Sequence, residues 1–349
     1  MSKSLVGLAV AIGLCFGSGV AEAHGTRRDI AAFSWPRRTG GVYVLHPDGT
    51  GIHKFDDRTP YFVNATTRVS WSPDRSKIAF EAGPEYGEDI YVWSKRTGRV
   101  RRITDHPERT IHPSWSPDGR RIAYIHERGD GSDLLVVRAD GSGRRRLDRD
   151  EAGLSTPEWS PDGSRIVYGS LRGLFVVRPD GSGRTRLTRR AFDVDPSWAP
   201  GSRWLVFSRI RTGGRGASLV RVRRNGSRLK AITDSPDRDE EAEWSPDGSR
   251  IVFVRTDTAD DINPDSFIYS VRPDGRRLKR LTADLSREGS GDFYPEWSPG
   301  SGKIAYRRYH TEPDERRPEM NVWIMKRDGS RKRNLTGGRG PGGFFGLDW

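Results

Sequence analysis

The chain has little sulfur, with one cysteine, Cys15, and three methionines among 349 residues. Cys15 lies in an N-terminal apolar run that is typical of a cleaved leader, so the mature chain is expected to contain no thiol. This expectation excludes disulfide bonds, cysteine nucleophiles and thiolate metal sites. After the leader, no segment has a sustained 3.6-residue apolar period, so the sequence predicts no further helix.

Common catalytic motifs are also missing. The sequence contains no Gly-x-Ser-x-Gly elbow, no His-Glu-x-x-His, no phosphate-binding glycine loop and no EF-hand spacing. We therefore predict no catalytic residue and no resident cofactor. These absences favour a protein that is not an enzyme, although they leave the question of catalysis open.

Long apolar runs are limited to the N-terminus. Residues 5–16 are apolar, follow Lys3 and precede the small-x-small sequence of residues 21–23. This order is typical of an export signal, here residues 1–23, cleaved after Ala23. A retained anchor is the alternative, but the run is shorter than the ~20 residues of a membrane span. We expect a periplasmic or extracellular protein with no transmembrane segment in the mature chain.

The net charge is strongly basic, at +13. Such an excess often indicates a nucleic-acid partner, but an exported protein does not meet nucleic acid, so we predict none. Only 33% of the residues are hydrophobic, which is low for one compact core and suits thin sheets that each pack against two neighbours. We expect a monomer.

A tryptophan followed by a tight turn recurs along the chain. The best copies read Trp-Ser-Pro-Asp-Gly, at residues 115–119, 159–163 and 244–248. The tryptophans of this series are 39 to 53 residues apart: Trp71, Trp115, Trp159, Trp198, Trp244, Trp297 and Trp349. Proline presets φ at the second turn position and glycine accepts a positive φ, so each copy predicts a hairpin turn.

The sequence between successive tryptophans predicts four strands. A β-branched and aromatic run follows each turn, as in residues 121–124, and a second run follows a loop, as in residues 134–137. An Asp-Gly or Asn-Gly pair, typical of tight hairpins, comes next. Five units end in Leu-Thr or Ile-Thr, at Thr104, Thr188, Thr233, Thr282 and Thr336. Four-stranded units repeated every ~40–45 residues are typical of β-propeller blades.

Both ends of the repeat array are incomplete in complementary ways. Residues 30–57 predict strands but contain no tryptophan turn, whereas residues 344–349 predict one strand that ends at Trp349. We therefore predict an all-β, seven-bladed β-propeller of four-stranded antiparallel blades, closed by pairing of the N- and C-terminal strands. The single predicted domain is 24–349, with blades at about 30–57 plus 344–349, 68–104, 112–148, 156–188, 195–233, 241–282 and 294–336.

These repeats resemble those of the TolB-type, WD40-like β-propeller family, whose blades carry the Trp-Ser-Pro-Asp-Gly turn. The resemblance covers the propeller part only and extends over the whole predicted mature chain. It implies an exported bacterial protein that binds partners in the cell envelope. The sequence departs from TolB in two respects, since it predicts seven blades instead of six and no separate α/β domain before the propeller.

Strand alternation divides the loops between two faces. The first-to-second and third-to-fourth turns are short and share what we call the short-turn face. The other connections share the variable face and range from residues 171–173 to the long segments 256–266 and 307–320. Variable loops on a rigid scaffold often bind partners. Binding is predicted at Asp257, Asp260, Asp261, Asp265, Asp292, Phe293, Tyr294, Tyr309 and His310. The four aspartates of 257–265 are either a Ca²⁺ loop or an acidic solvated loop.

The first strand of each blade predicts an acidic axial funnel. If the tryptophan packs between blades, the residues one and three positions before it point to the axis. Carboxylates are frequent there: Glu158, Asp195, Glu241, Glu243, Glu296 and Asp348. Such a funnel suits a cation, an amine or a basic peptide. The alternative is a water-filled channel with a polar lining.

Basic residues crowd the predicted outermost strands. They include residues 101–102, 144–146, 184, 186, 230, 276–277 and 331–333. Charged edges prevent sheets from pairing edge to edge, and we take this as the first explanation. Contact with an anionic envelope polymer or membrane surface is the second.

The leading functional hypothesis is a non-enzymatic binding scaffold that recognises a protein or basic peptide. The alternative is a metal-dependent carbohydrate-active enzyme, because some propellers of the polysaccharide-lyase type resemble this one and hold a metal with clustered histidines. The candidates here, all predicted near the variable face, are His106, His112, His126 and His310. Their spacing matches no metal motif, and scattered surface histidines are the commoner arrangement.

Overall fold

The computed structural model describes residues 29–34, 41–48, 50–54, 69–83, 87–190, 192–211, 216–258, 265–283, 291–310, 319–337 and 344–349. All regular structure in these ranges is β-strand. No helix that could cross a membrane occurs in them. The predicted leader, residues 1–23, lies outside the described residues.

The described strands group in fours, and each group is an antiparallel sheet; in every group but the first, the strands follow chain order. Sheet 1 contains β1 (Ile30–Ser34), β2 (Gly41–Leu45) and β3 (Ile52–Lys54). Sheet 2 contains β4 (Val69–Trp71), β5 (Lys77–Ala82), β6 (Asp89–Ser94) and β7 (Val100–Arg102). Sheet 3 contains β8 (Thr110–Trp115), β9 (Arg121–Arg128), β10 (Gly131–Arg138) and β11 (Arg145–Asp150).

Sheet 4 contains β12 (Leu154–Trp159), β13 (Ile166–Ser170), β14 (Gly173–Val177) and β15 (Thr185–Arg186). Sheet 5 contains β16 (Asp193–Trp198), β17 (Trp204–Ile210), β18 (Ala217–Arg223) and β19 (Lys230–Ala231). Sheet 6 contains β20 (Arg238–Trp244), β21 (Ile251–Thr256), β22 (Ser266–Val271) and β23 (Lys279–Arg280). Sheet 7 contains β24 (Gly291–Trp297), β25 (Lys303–His310), β26 (Glu319–Lys326) and β27 (Arg333–Asn334).

The last strand, β28 (Phe344–Asp348), belongs to sheet 1 and pairs antiparallel with β1, where Ala31 lies opposite Asp348. Sheets 5, 6 and 7 are linked by single parallel pairings between neighbouring sheets. The prediction of four-stranded antiparallel units without a helix is therefore confirmed for the described residues.

The Ser-Pro-Asp-Gly turn is held by its own side chains. In sheet 3 the Ser116 hydroxyl accepts a hydrogen bond from the backbone N–H of Arg121 at 2.9 Å, and Asp118 accepts one from the N–H of Arg120 at 3.0 Å. Gly119 has φ of 67°, the left-handed region that glycine adopts without strain. Hydrogen bonds of this kind lower the pKa of Asp118, although burial opposes them. The motif therefore stabilises the turn between the first and second strands.

The Leu-Thr or Ile-Thr sequence that ends five of the units also has a local role. The buried Thr282 hydroxyl accepts the backbone N–H of Ile268, the residue on the third strand where the fourth strand stops pairing. The same contact, always 14 residues apart, is made by Thr104, Thr188, Thr233 and Thr336. The threonine hydroxyl thus accepts a hydrogen bond from a buried backbone N–H that the short outer strand does not pair.

The hydrophobic core is divided into clusters between consecutive sheets. The cluster between sheets 3 and 4, for example, contains Ile125 and Leu134 from one sheet and Trp159 and Tyr168 from the other. Each tryptophan of the repeat lies in such a cluster, at 1–7% exposure. One cluster joins sheet 7 to sheet 1 and includes Trp349. An aromatic side chain that packs on the next sheet supplies the area that a thin sheet cannot bury alone.

Candidate functional site

The first strands contain a bulge three residues before each described tryptophan of sheets 3 to 7. Their pairing with the second strand shifts register there. The residue at the bulge has positive φ in every case: His112 at 59°, Thr156 at 33°, Asp195 at 52°, Glu241 at 55° and Tyr294 at 52°. Non-glycine residues avoid this region, so the surrounding structure must hold the strain. Bulges also redirect side chains, which matters for the axial positions.

Carboxylates of the preceding sheet hold two of these bulges. The backbone N–H of Tyr294 donates to Glu241 Oε2 at 2.6 Å, from sheet 7 to sheet 6. The backbone N–H of His112 donates in the same way to Glu81 Oε1, from sheet 3 to sheet 2. The bulge residue therefore directs its backbone N–H toward a glutamate carboxylate of the neighbouring sheet.

Five of the seven residues that immediately precede a tryptophan of the repeat make a second contact between sheets. Glu243 Oε2 accepts the backbone N–H of Trp297 at 2.9 Å, and Asp348 Oδ2 accepts that of Trp71 at 2.6 Å. Glu158 accepts twice from Trp198, through Oε1 from the backbone and through its carbonyl from the indole N–H, both at 3.3 Å. These side chains tie the inner edges of consecutive sheets.

The structure thus places the predicted axial carboxylates on the first strands and buries them at 2–8% exposure: Glu158, Asp195, Glu241, Glu243, Glu296 and Asp348. Sequence reasoning missed their contacts with the next sheet. The signal was available, because all seven residues that precede the tryptophans have a side-chain oxygen acceptor: Ser70, Ser114, Glu158, Ser197, Glu243, Glu296 and Asp348. Glu158, Glu243 and Asp348 each accept the backbone N–H of a tryptophan of another sheet, and only these three are called the axial carboxylates from here on.

The axial carboxylates interact electrostatically although they come from three sheets. Burial raises the pKa of Glu243 well above its ordinary value, and repulsion from Asp348 and Glu158 raises it further, against the opposing hydrogen bond from Trp297. Burial also raises the pKa of Asp348, which Arg75 partly offsets. Burial and mutual repulsion therefore make ionisation of these carboxylates unfavourable in the folded chain.

A second set of buried carboxylates lies at the first or second residue of the first strand in sheets 5 to 7. Asp239 is fully buried and receives two hydrogen bonds from Arg255, at 2.6 and 2.8 Å. Asp193 with Arg209, and Asp292 with Arg308, repeat this bidentate pair at 2.7 and 2.8 Å. The aspartate and arginine are 16 residues apart in each case. We call these the Asp–Arg clamps.

The residues predicted to bind at the variable face have varied surroundings. Asp292 belongs to an Asp–Arg clamp and is buried. Tyr294 is half-buried, and the guanidinium of Arg307 lies 3.6 Å from its ring centre. Asp257 donates its backbone N–H to the carbonyl of Asp265 at 2.9 Å, which closes the base of that loop.

Other variable-face residues are described only in part. Phe293 and Tyr309 are half-buried in β24 and β25. Asp260 and Asp261 lie outside the described residues, and only the backbone of His310 is described. The predicted Ca²⁺ loop therefore stays a prediction. Within the described ranges, no three His, Cys, Asp or Glu side chains are grouped to hold a metal ion.

Two of the candidate histidines lie together, His126 on β9 of sheet 3 and His106 in the connection that precedes β8. The rings of His106 and His126 stack with centres 4.0 Å apart, and Glu108 contacts His126 Nε2 at 3.1 Å. Burial lowers the pKa of His106 to about 4, helped by repulsion from His126 and Arg144. His112 occupies a first-strand bulge elsewhere, so the structure brings together two of these histidines and not this third one.

The basic residues of the outer strands are partly neutralised. Arg102 donates to Asp89 through two nitrogens, and Arg184 donates to Asp148 at 2.8 Å. Neighbouring positions such as Arg101, Arg145 and Arg146 are exposed. Edge protection and contact with a polyanion both stay open for them.

Comparison with known proteins places the chain in a family. The model of the TolB beta propeller domain matches residues 28–231, more than half of the chain. The chain belongs to this family. An uncharacterized protein of Agrobacterium fabrum is 33% identical over 117 residues, which are 33% of this chain and 39% of that protein. The match thus spans well under half of that relative's length.

Solved structures share the fold at low sequence identity. TolB from Acinetobacter baumannii is 14% identical, with a TM-score of 0.55 over 92% of this chain and 82% of that one. Oligogalacturonate lyase from Vibrio parahaemolyticus is also 14% identical, with a TM-score of 0.63 over 90% of each chain. At this identity the likeness shows the β-propeller fold and nothing about activity.

Proposed function

We propose that the seven sheets form one closed propeller whose last blade is completed by β28. The support is the order of contacts between sheets. Asp348 of β28 accepts the N–H of Trp71 in sheet 2, and Trp349 packs in the cluster that joins sheet 7 to sheet 1. Each sheet then packs on the two that precede and follow it, and the ring has no free edge between its first and last members.

We further propose that the protein is exported and acts as a non-enzymatic binding scaffold in the cell envelope or exterior. Its ligand would be a protein segment that carries positive charge. The observation that carries this proposal is the convergence of buried carboxylates from three sheets: burial raises the pKa of Glu243, and repulsion from Asp348 and Glu158 raises it further. Perturbed buried carboxylates that converge on one region are typical of functional sites.

A cationic side chain at the axis would offset the repulsion among the axial carboxylates. It would attract all three axial carboxylates at once and lower the pKa of each, which amounts to favourable binding free energy. The same carboxylate can accept a backbone N–H and attract a ligand, because it has two oxygens. The contacts between sheets therefore preorganise the acids for a ligand, with the variable face, around Asp257, Tyr294 and Tyr309, as the docking surface.

Glu243→Gln tests this proposal without removing the contact between sheets. The amide keeps an oxygen that accepts from Trp297 but loses the negative charge. We expect titration calorimetry with a tetralysine peptide to show binding to the wild-type protein and at least about tenfold weaker binding to Glu243→Gln, consistent with the loss of one buried charge contact.

Asp328→Asn is the matched control, since it removes the same charge from an exposed turn of the short-turn face. It should bind the peptide as the wild type does. Equal affinity of the wild type and Glu243→Gln would contradict the axial site, and an equal loss in both variants would indicate attraction to overall charge.

The second candidate is a metal-dependent carbohydrate-active enzyme. The stacked pair of His106 and His126, together with the fold shared with oligogalacturonate lyase, favours it. Metal analysis of the purified protein and an assay for cleavage of oligogalacturonate separate the two candidates. Stoichiometric transition metal with cleavage that is lost in His126→Ala would support the enzyme.

A further inference from the structure

A basic groove lies between sheets 2 and 3 on the short-turn face, away from the axis. Its volume is about 740 Å³. The lining comes from the start of β5, the turn between β6 and β7, the start of β9 and the end of β10. Six cations lie around it: Lys77, Arg99, Arg101, Arg120, Arg121 and Arg138. One acid, Asp140, is also in the lining.

The positive charge of this groove exceeds the negative charge near it in the described part of the chain, where Asp74, Asp118 and Asp140 interact with its cations without forming an ion pair. None of the six cations forms an ion pair there, and Asp140 instead accepts from the N–H and hydroxyl of Ser142, at 2.9 and 2.7 Å. Arg121 and Arg138 lie directly opposite each other on β9 and β10. Like charges in this position repel and destabilise the sheet. An anion between them would remove that repulsion.

The groove exists because one turn residue is small. In sheets 5 and 7 the residue before the Asn-Gly or Asp-Gly pair is an arginine that reaches the turn aspartate of the preceding sheet. Arg224 contacts Asp162 and Arg327 contacts Asp247, at 3.4 and 3.3 Å. The equivalent residue of sheet 3 is Ala139, whose side chain ends at Cβ.

The cavity sizes follow this pattern. Where sheet 4 has Pro179 at the same position, the groove between sheets 3 and 4 is about 220 Å³. Where sheet 3 has Ala139, the groove is more than three times larger. The alanine leaves space at this position and cannot make the arginine–aspartate contact that sheets 5 and 7 have there.

We propose that this groove binds the phosphate group of an organic phosphate. A phosphate ester presents several oxygens in different directions and up to two negative charges, which suits guanidinium and ammonium groups that approach from four segments. The floor contains the apolar side chains Val92, Val100 and Ile103. They would contact the organic part of the ligand. The site is independent of the axial carboxylates.

Phosphate esters occur both as free compounds and as lipid headgroups, so the test uses both. Glycerol 3-phosphate is titrated by calorimetry, and vesicles with and without phosphatidylglycerol are used in co-sedimentation. Arg121→Ala/Arg138→Ala should weaken binding at least tenfold, as expected for the loss of charge-assisted hydrogen bonds. Binding to the vesicles alone assigns the lipid source, and binding to glycerol 3-phosphate assigns the free ester.

Two further variants separate a shaped site from general attraction. Lys303→Ala/Lys326→Ala removes two opposed, exposed cations of sheet 7 and should leave affinity within about twofold, as for a change outside the contact. Ala139→Arg copies sheets 5 and 7, adds positive charge and fills the groove, so it should abolish binding. Unchanged or stronger binding by Ala139→Arg, or an equal loss in both double variants, would overturn the proposal.

Discussion

Two sets of buried carboxylates on the innermost strands differ in the groups that contact them. Each aspartate of an Asp–Arg clamp meets one guanidinium, as Asp239 meets Arg255. Each axial carboxylate instead accepts a backbone N–H of another sheet, as Glu243 does from Trp297. An N–H dipole satisfies a lone pair but does not cancel a charge. The Asp–Arg clamps are therefore internal ion pairs, whereas Glu243 and Asp348 accept neutral backbone donors from another sheet.

The largest expected effect is on an Asp–Arg clamp. Arg255→Ala would leave Asp239 fully buried without its cation, so we expect the free energy of unfolding to fall by about 3–5 kcal/mol. Urea unfolding measures this change. Arg327→Ala breaks an ion pair whose side chains are about 40% exposed and should cost less than about 1 kcal/mol. Similar losses in both variants would show that burial does not set the value of the pair.

The axial set should respond differently to charge and to hydrogen bonding. Glu243→Ala leaves the buried N–H of Trp297 without its acceptor and should lower the free energy of unfolding by about 1–3 kcal/mol. Glu243→Gln keeps the acceptor and should unfold at the same or higher urea concentration than the wild type near pH 7. A destabilised glutamine variant would mean that the negative charge itself stabilises the fold.

The same glutamine variant gives a pH dependence of defined sign. The folded pKa of Glu243 lies above the unfolded value of 4.5, so its contribution to stability is fully present below about pH 4.5 and is lost as pH rises through the folded pKa. We therefore expect any advantage of Glu243→Gln over the wild type to shrink as pH falls toward 4.5. Thermal unfolding from pH 4.5 to 8 measures this, and an advantage that grows at low pH would contradict it.

A neutral acceptor provides the smallest test of the comparison. Thr282→Val removes the hydroxyl that accepts from the N–H of Ile268, with little change of volume, and should cost about 1–2 kcal/mol. Thr185→Val, at an exposed outer strand, should change stability by less than about 0.5 kcal/mol. If the two substitutions had equal effects, the threonine contact would add nothing to strand pairing.

Local sequence patterns predicted the repeat well because local chemistry produces it. The Ser-Pro-Asp-Gly turns and the four β-branched runs per unit act within a few residues of each other, so their roles follow from the order of residues along one unit. The contacts of the candidate site were harder to predict from the sequence. The sequence placed Glu243 and Asp348 on the first strands but could not show that each accepts a hydrogen bond from the next sheet, since the partners are 54 and 277 residues away.

The sequence by itself determined the repeating unit, its turns, its threonine contact and its family, because these depend on spacing within one unit. The tertiary structure alone decided which buried acids receive an arginine and which receive an N–H. It also decided that Ala139 leaves a basic groove where Arg224 and Arg327 occupy the corresponding space. The groove and the N–H contacts depend on residues of different sheets, whereas each Asp–Arg clamp joins opposed residues on two neighbouring strands of one sheet. The charge of a buried region is set by all the neighbours that meet there.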